Sequence, residues 1–428
     1  MLAKNIYDVV VIGSGPGGVA AAIAAKQAGA DDVLVIERDV EPGGILVQCI
    51  HNGFGLTSLK EDLPGPGYAQ YYLDQAKALG VEFLLDTMVL DVTSQRKLYL
   101  SSQEHGYVDL EARALVMAMG CRERTRAQIR IPGMRPNGVF TAGTAQRWVN
   151  VEGWMPGKKF VILGSGDIGM IMARRLTYEG AKVERVLEIQ SYLSGLTRNY
   201  VQCLQDYDIP LQLNYTIKRI MGKNRVEAIE AVQVDQRWNF VPGTEEIIPC
   251  DTLLLSVGLI PENELSRKAG VILDPVTGGP FVDETFQTNV PGVFAAGNVV
   301  HVYDLVDWVT EAGFGAGKGA AKFALAQKAA EQRYTPVKAG RNVRYVVPHK
   351  LDKQTLEQEE VHLQMRVTKP IEEDVWIEVH GENNSIVRRS ERYVRPGEMV
   401  TVVLRPAHYA EVCKAGTLTI DIYPKSEA

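Results

Sequence analysis

The feature that most constrains this chain is an internal repeat. Residues 7–38, YDVVVIGSGPGGVAAAIAAKQAGADDVLVIER, read as a buried β-branched strand, a glycine turn, an alanine-rich helix and a second strand ending on acid. Residues 158–190, KKFVILGSGDIGMIMARRLTYEGAKVERVLEIQ, repeat that layout. In each copy the glycines fall at G-x-G-x-x-G: Gly13, Gly15 and Gly18, then Gly164, Gly166 and Gly169, with Pro16 and Gly17 inside the first triplet and Asp167 and Ile168 inside the second. The first glycine of such a triplet permits a tight turn, the second lets backbone approach a pyrophosphate, and the third lets the helix pack on the strand. The helix N-terminus then offers N–H groups and positive dipole to phosphates. Glu37 lies 19 residues past Gly18, and Glu188 lies 19 past Gly169. At a strand tip each carboxylate can accept hydrogen bonds from a ribose diol, and Arg38 follows the first. Two copies agreeing in strand, spacing and acid point to two dinucleotide sites. A carboxylate at 188 repels a 2'-phosphate, which favours NAD over NADP there, although Arg185 is near in sequence.

Further stretches close the two sites. ALVMAMGCRER, residues 114–124, is a strand ending at Gly120, and TNVPGVFAAGNV, residues 288–299, is a short strand ending at Gly297-Asn298. A helix is expected from about Val309, with Thr310 and Glu311 at its start. DTLLLSVGLIPEN, residues 251–263, carrying Gly258, is the counterpart for the second site. The first fold is thus interrupted by the second and resumes after it. The expected organisation is a first nucleotide domain over 1–150, an inserted one over 151–260, the return of the first over 261–332, and a small β-rich domain over 337–428. In the last segment VHLQMRV, VWIEVHG, MVTVVL and LTIDIYP read as strands separated by HGENNS and VRPGE, which implies a small antiparallel β-domain. The fold class expected is therefore α/β, two nested Rossmann-like domains plus that appendage. A role in docking a partner protein and a purely stabilising role are both open for it.

This layout resembles the two-dinucleotide flavoproteins of the glutathione reductase and thioredoxin reductase superfamily, the pyridine nucleotide-disulfide oxidoreductases, over about residues 5–330. The resemblance implies FAD in the outer fold, NAD(H) in the inserted one, and hydride exchange between nicotinamide and flavin. It places Gly43, Gly44, Gly120, Gly297 and Asn298 against FAD, with asparagine where the family carries aspartate, and it points the helix bearing Thr310 at the flavin. Disulfide reductases of this kind carry GG-x-C-x(4)-C after the second strand. In GGILVQCIHNGFG, counted from Gly43-Gly44, those positions hold Leu46 and His51, with Cys49 between them. The alternative CxxC is also missing from GVFTAGTAQRWVN, residues 138–150. Reduction of a disulfide is therefore not expected.

The same stretches, with MGCRERTR and LLLSVGLIPENELS, are similar to the NAD(H)-linked subunits of sarcosine oxidase, opine oxidase, hydrogen cyanide synthase and proline dehydrogenase, and to flavoproteins that accompany glycerol-3-phosphate dehydrogenase. That similarity implies an oxidoreductase exchanging hydride between NAD(H) and FAD and passing electrons to or from a partner flavoprotein dehydrogenase or acceptor. Direct flavin-dependent oxidation of a small amine, hydroxy acid or polyol phosphate is one alternative; a non-catalytic FAD-binding component of a dehydrogenase complex is another. His51 is the candidate acid or base, because imidazole exchanges protons near neutral pH. Cys49 is the second catalytic candidate; Cys121, and the charge cluster Arg122, Glu123 and Arg124, are weaker ones. His301, near a flavin-binding stretch, is given no catalytic role.

Composition adds exclusions. With 46 basic against 52 acidic residues the net charge is -6, which argues against nucleic acid as a partner. No signal peptide or apolar run long enough to span a bilayer is visible, so a cytoplasmic protein without a transmembrane segment is expected. The five cysteines are scattered, with no paired spacing suggesting a metal site.

Overall fold

A computed structural model describes residues 4–326, 334–382 and 384–427. Two compact units emerge: one from the described parts of Met1–Val47, Asn52–Cys121 and Pro261–Ala428, the other from Gln48–His51 and Arg122–Ile260.

The first unit is built on a sheet ordered Glu82–Leu84, Val33–Ile36, Ile6–Ile12, Gly106–Met117, Lys97–Ser102 and Thr87–Val92, with Val293–Ala295 added beside Gly106–Met117. Ile6–Ile12 pairs in parallel with both neighbours, Ile12 opposite Ile36 and Met117. Such strands are covered on both faces, which is why they read as unbroken β-branched runs. One covering layer is the helix Pro16–Gln27, buried almost all round because a second helix, Val306–Leu325, lies on it. The approach needs glycine: a Cβ at Gly313 would sit 2.3 Å from the Gly17 carbonyl oxygen, and one at Gly317 would sit 2.0 Å from that of Ala21. The later helix starts at Val306 and not near Val309, which moves Thr310 and Glu311 out of its first turn. Leu305, at the cap position, makes no side-chain capping bond, so no cap residue marks the start, although Asp307 stands in the first turn.

In the second unit a five-stranded sheet runs Leu211–Leu213, Lys182–Glu188, Lys159–Leu163, Thr252–Leu255 and Val139–Thr141, all parallel. An antiparallel sheet of Tyr215–Met221, Ala228–Gln233 and Glu246–Pro249 accompanies it. The expected boundary at 150 moves to Cys121/Arg122, because Val139–Thr141 pairs with Leu253–Leu255 of the inserted sheet.

The C-terminal strands form two sheets, Lys350–Asp352, Tyr334–Ala339, Leu418–Pro424, Val375–His380 and Ser385–Glu391, then Val343–Val347, Val361–Val367 and Val400–Leu404. They are antiparallel except where Tyr334–Ala339 runs parallel to Leu418–Pro424. Leu363, Met365, Ile377, Val379 and Ile420 close a core among them. The expected end of the outer fold at 332, and Asn383 in the HGENNS turn, lie outside the described residues. These sheets belong to the first unit and are tied to it by polar contacts. Val282 N–H donates to His349 Nδ1 at 3.2 Å while His349 N–H donates to the Val282 carbonyl at 2.9 Å, and Tyr334 donates to Asp283 at 2.8 Å. Glu311 meets His362 at 3.1 Å.

One junction is pH-sensitive. Burial, and then the charge of Asp283, push Glu284 up to about 7, while its Oε2 accepts the Asp352 N–H at 2.9 Å. The native state holds this proton more tightly than the unfolded chain does, so stability falls as pH rises from about 4.3 to about 7 and then levels. Glu284→Gln keeps an acceptor without the charge. It is expected to stabilise the protein by about 2 kcal/mol at pH 8 and to change little at pH 4.5. Thermal unfolding at the two pH values checks this; an equal effect at both would place the burden elsewhere.

Candidate functional site

Each glycine loop repeats one set of contacts. Gly13 turns at φ +99°, and a Cβ there would lie 2.5 Å from the Ala118 carbonyl oxygen; a Cβ on Gly18 would lie 1.9 Å from that of Gly13. Gly15 differs, since a Cβ there meets no protein atom within 4 Å. Nothing in the fold requires that glycine, whereas close approach of a phosphate does. The helix beginning at Pro16 has no side-chain cap, which leaves its first N–H groups available to an anion. Gly43 N–H donates to Ser14 Oγ at 3.1 Å, and a Cβ on Gly44 would lie 2.9 Å from Gly15 Cα, which brings this pair onto the loop.

Glu37 is buried and accepts from Ser14 N–H at 2.8 Å, Ser14 Oγ at 2.6 Å and Asp39 N–H at 2.9 Å. In the second unit Glu188 accepts from Ser165 N–H at 2.9 Å, Ser165 Oγ at 2.6 Å and Gln190 N–H at 2.9 Å. The serine of G-S-G stands twice in the sequence as the middle residue of the turn, yet nothing local there announces its service to the acid. Gly164 sits at φ +99°, with a would-be Cβ 2.1 Å from the Ser256 carbonyl oxygen, and Gly169 N–H donates to Ser256 Oγ at 3.1 Å. A Cβ on Gly166 would press on that same hydroxyl at 3.1 Å. Asp167 turns its carboxylate to Leu196 N–H at 2.9 Å and Asn199 Nδ2 at 2.7 Å, and Ile168 packs on the apolar cluster of the inserted sheet. Gly258, at φ +95°, accepts Arg124 N–H through its carbonyl at 3.0 Å.

Among the outer-fold candidates, Arg38 pairs with Glu262 at 3.1 Å while mostly exposed, a bond worth little to stability. Gly120 holds φ +71° and Gly297 φ +76°, both conformations that favour glycine. Asn298 Oδ1 accepts Tyr303 N–H at 3.1 Å. Thr310 is buried, its hydroxyl 2.8 Å from that of Tyr68, in the second turn of its helix. His301 is fully enclosed beside Tyr345, and burial holds its imidazole down at about 3, so it stays neutral.

The segment Gln48–His51 belongs to the second unit, which the sequence did not reveal. Gln48 Nε2 donates to the Gly143 carbonyl at 3.0 Å and to Gln146 Oε1 at 2.9 Å, and Asn150 Nδ2 donates to the Gln48 carbonyl at 2.9 Å. Cys49 Sγ lies 3.7 Å from the same Gln146 oxygen, and burial pushes its thiol up to about 12. The thiol is thus protonated at neutral pH, a poor nucleophile. His51, half-buried, ends the clamped segment. Both oxygens of Glu123 accept Gly143 N–H, at 2.8 and 2.9 Å, at the start of the helix Ala142–Arg147.

Residues 7–332 match the family model described as pyridine nucleotide-disulphide oxidoreductase. The chain belongs to this family. Its thioredoxin reductase relative from Listeria innocua serovar 6a is 28% identical over 332 residues, covering 75% of this chain and 94% of the relative. An opine oxidase subunit from Agrobacterium tumefaciens is 26% identical over 318 residues, covering 69% of this chain and 61% of that relative. The fold is shared with T. acidophilum thioredoxin reductase at a TM-score of 0.62 and 21% identity, over 76% of this chain and all of that one. It is also shared with a NAD-dependent persulfide reductase from A. fulgidus at 0.55 and 18%, over 92% of this chain and 70% of that one.

Pyridine nucleotide-disulphide oxidoreductases use FAD and NAD(P)H. The residues present fit both groups: a bare Gly15 over an uncapped helix start, and a buried carboxylate at each strand tip. No helix among the described residues is long and apolar enough to cross a membrane.

Proposed function

We propose that this chain exchanges hydride between NAD(H) and FAD and passes electrons to or from a partner flavoprotein dehydrogenase or a soluble acceptor in the cytoplasm, with no disulfide relay. The observation that carries this reading is two repeated dinucleotide loops combined with the residues after Gly43-Gly44. The first reductase-cysteine position holds Leu46, a side chain only 2% exposed in the core, and the second holds His51. Cys49, between them, bonds to Gln146 and keeps its proton. Kinship with one component of an opine oxidase supports a partner in the electron transfer.

FAD, when bound, supplies a two-electron carrier that exchanges hydride with nicotinamide. Glu37 and Glu188 orient the two riboses, and the first turns after Gly15 and Gly166 receive the pyrophosphates. The negative charge of Glu188 disfavours a 2'-phosphate, which selects NADH. His51 exchanges a proton with the second substrate as the electron pair moves.

Anaerobic stopped-flow mixing tests the core of this reading: NADH is expected to bleach the flavin within turnover times and NADPH about tenfold more slowly or worse. Flavin that stays oxidised under excess of both would sink it. The same instrument tests His51. Reoxidation by a quinone consumes a hydride equivalent and a proton, whereas ferricyanide takes electrons alone. His51→Ala is expected to slow the quinone reaction at least about tenfold and to spare the ferricyanide one; unchanged rates with both would make His51 structural.

A further inference from the structure

The two loops differ at one hydroxyl. In the first, the residue 29 positions past Ser14 is Gly43, whose N–H donates to Ser14 Oγ at 3.1 Å. In the second, the residue 29 positions past Ser165 is Ser194, whose N–H donates to Ser165 Oγ at 3.0 Å in the same way. Gly43 has no side chain to add. Ser194 does, and its Oγ donates to Glu188 Oε2 at 2.9 Å. Glu37 therefore accepts three internal hydrogen bonds and Glu188 accepts four. Each carboxylate oxygen has about two lone-pair directions. Oε1 takes one N–H in both acids and keeps one direction open, whereas Oε2 takes the two donors of its loop serine in both and a third, from Ser194, in the second acid only. Ser194 is exposed, so its hydroxyl can turn to water when displaced, whereas Ser165 is fully buried and cannot.

We infer that Ser194 sets the affinity of the inserted site, by competing with the ribose diol of NAD(H) for Glu188. The inference rests on the reading of that site as the NAD(H) site. A ribose hydroxyl that approaches Oε2 of the inserted acid meets the Ser194 hydroxyl already bonded there, whereas the outer loop has glycine at the matching position. Asp167 holds the same loop in place through Leu196 N–H and Asn199 Nδ2, so the serine is presented to Glu188 in a fixed register.

The test measures NAD+ binding to the FAD-loaded, full-length protein by titration calorimetry and by the rate of NAD+ release. Ser194→Ala removes the competitor and nothing that the core needs. It is expected to tighten NAD+ about tenfold, the equivalent of one hydrogen bond to a charged acceptor, mostly by slowing release. Ser194→Thr keeps a hydroxyl and is expected to bind as wild type does. NADP+, whose 2'-oxygen carries a phosphate, is expected to gain less from the alanine. Unchanged or weaker NAD+ binding in Ser194→Ala, with FAD content intact, overturns the role given to Ser194 while leaving the NAD(H) site standing. A wild-type protein that binds no NAD+ overturns the site itself, and the inference with it.

Discussion

Gly18→Ala is expected to yield a protein that has lost its yellow colour. The new methyl carbon would lie 1.9 Å from the Gly13 carbonyl oxygen and 3.3 Å from Val11 Cγ1, so the helix start must move outward by more than an ångström. Any such shift disturbs the close packing of Gly313, from the helix Val306–Leu325, on the Gly17 carbonyl. Overpacking of this kind costs about 1–3 kcal/mol or more, and it displaces the N–H groups that should meet the pyrophosphate. Flavin absorbance per protein is expected to fall at least about tenfold on purification, because both the seat and the dipole are disturbed. NAD+ titration should still find its site in the inserted unit. A fully yellow Gly18→Ala protein would show that the first loop does not seat the flavin.

Gly164→Ala should give the opposite phenotype. Gly164 holds φ +99°, and a Cβ there would fall 2.1 Å from the Ser256 carbonyl oxygen. Both the conformation and the clash are with backbone, so no side chain can yield. The protein is expected to remain yellow, while anaerobic reduction by NADH slows by about a hundredfold or more at a fixed low NADH concentration, since about 3 kcal/mol of lost binding suffices for that. The pair of variants separates the two sites. Loss of flavin in Gly164→Ala as well would show that the inserted unit does not fold independently of the outer one.

Much of this is legible in the chain. A turn tight enough for Gly13 or Gly164 tolerates no side chain, so its glycines mark it wherever it occurs, and strands buried on both faces must be apolar throughout. The four C-terminal apolar runs, with period-2 alternation, coincide with the strands Val361–Val367, Val375–His380, Val400–Leu404 and Leu418–Pro424. The flavin-domain helix begins three residues before the position that the sequence suggests, because Leu305 offers no capping side chain to announce it. The strand Val139–Thr141 has three residues and too little pattern to be assigned, and its membership of the inserted sheet depends on a partner more than a hundred residues away. Likewise, nothing local in GGILVQCIHNGFG says that Gln48–His51 is clamped by Gln146 and Asn150.

By itself the sequence determined the two loops, their acids and the absence of a paired cysteine at the reductase positions, because each follows from a residue type at a fixed spacing along the chain. Tertiary structure alone decided what each of those groups touches. It turned Cys49 into a protonated donor to Gln146, gave Glu123 to the Gly143 N–H, and set the hydroxyl of Ser194 against Glu188. Hydrogen-bond acceptors are shared out in space, and how many remain for a ligand depends on every donor the fold brings within reach.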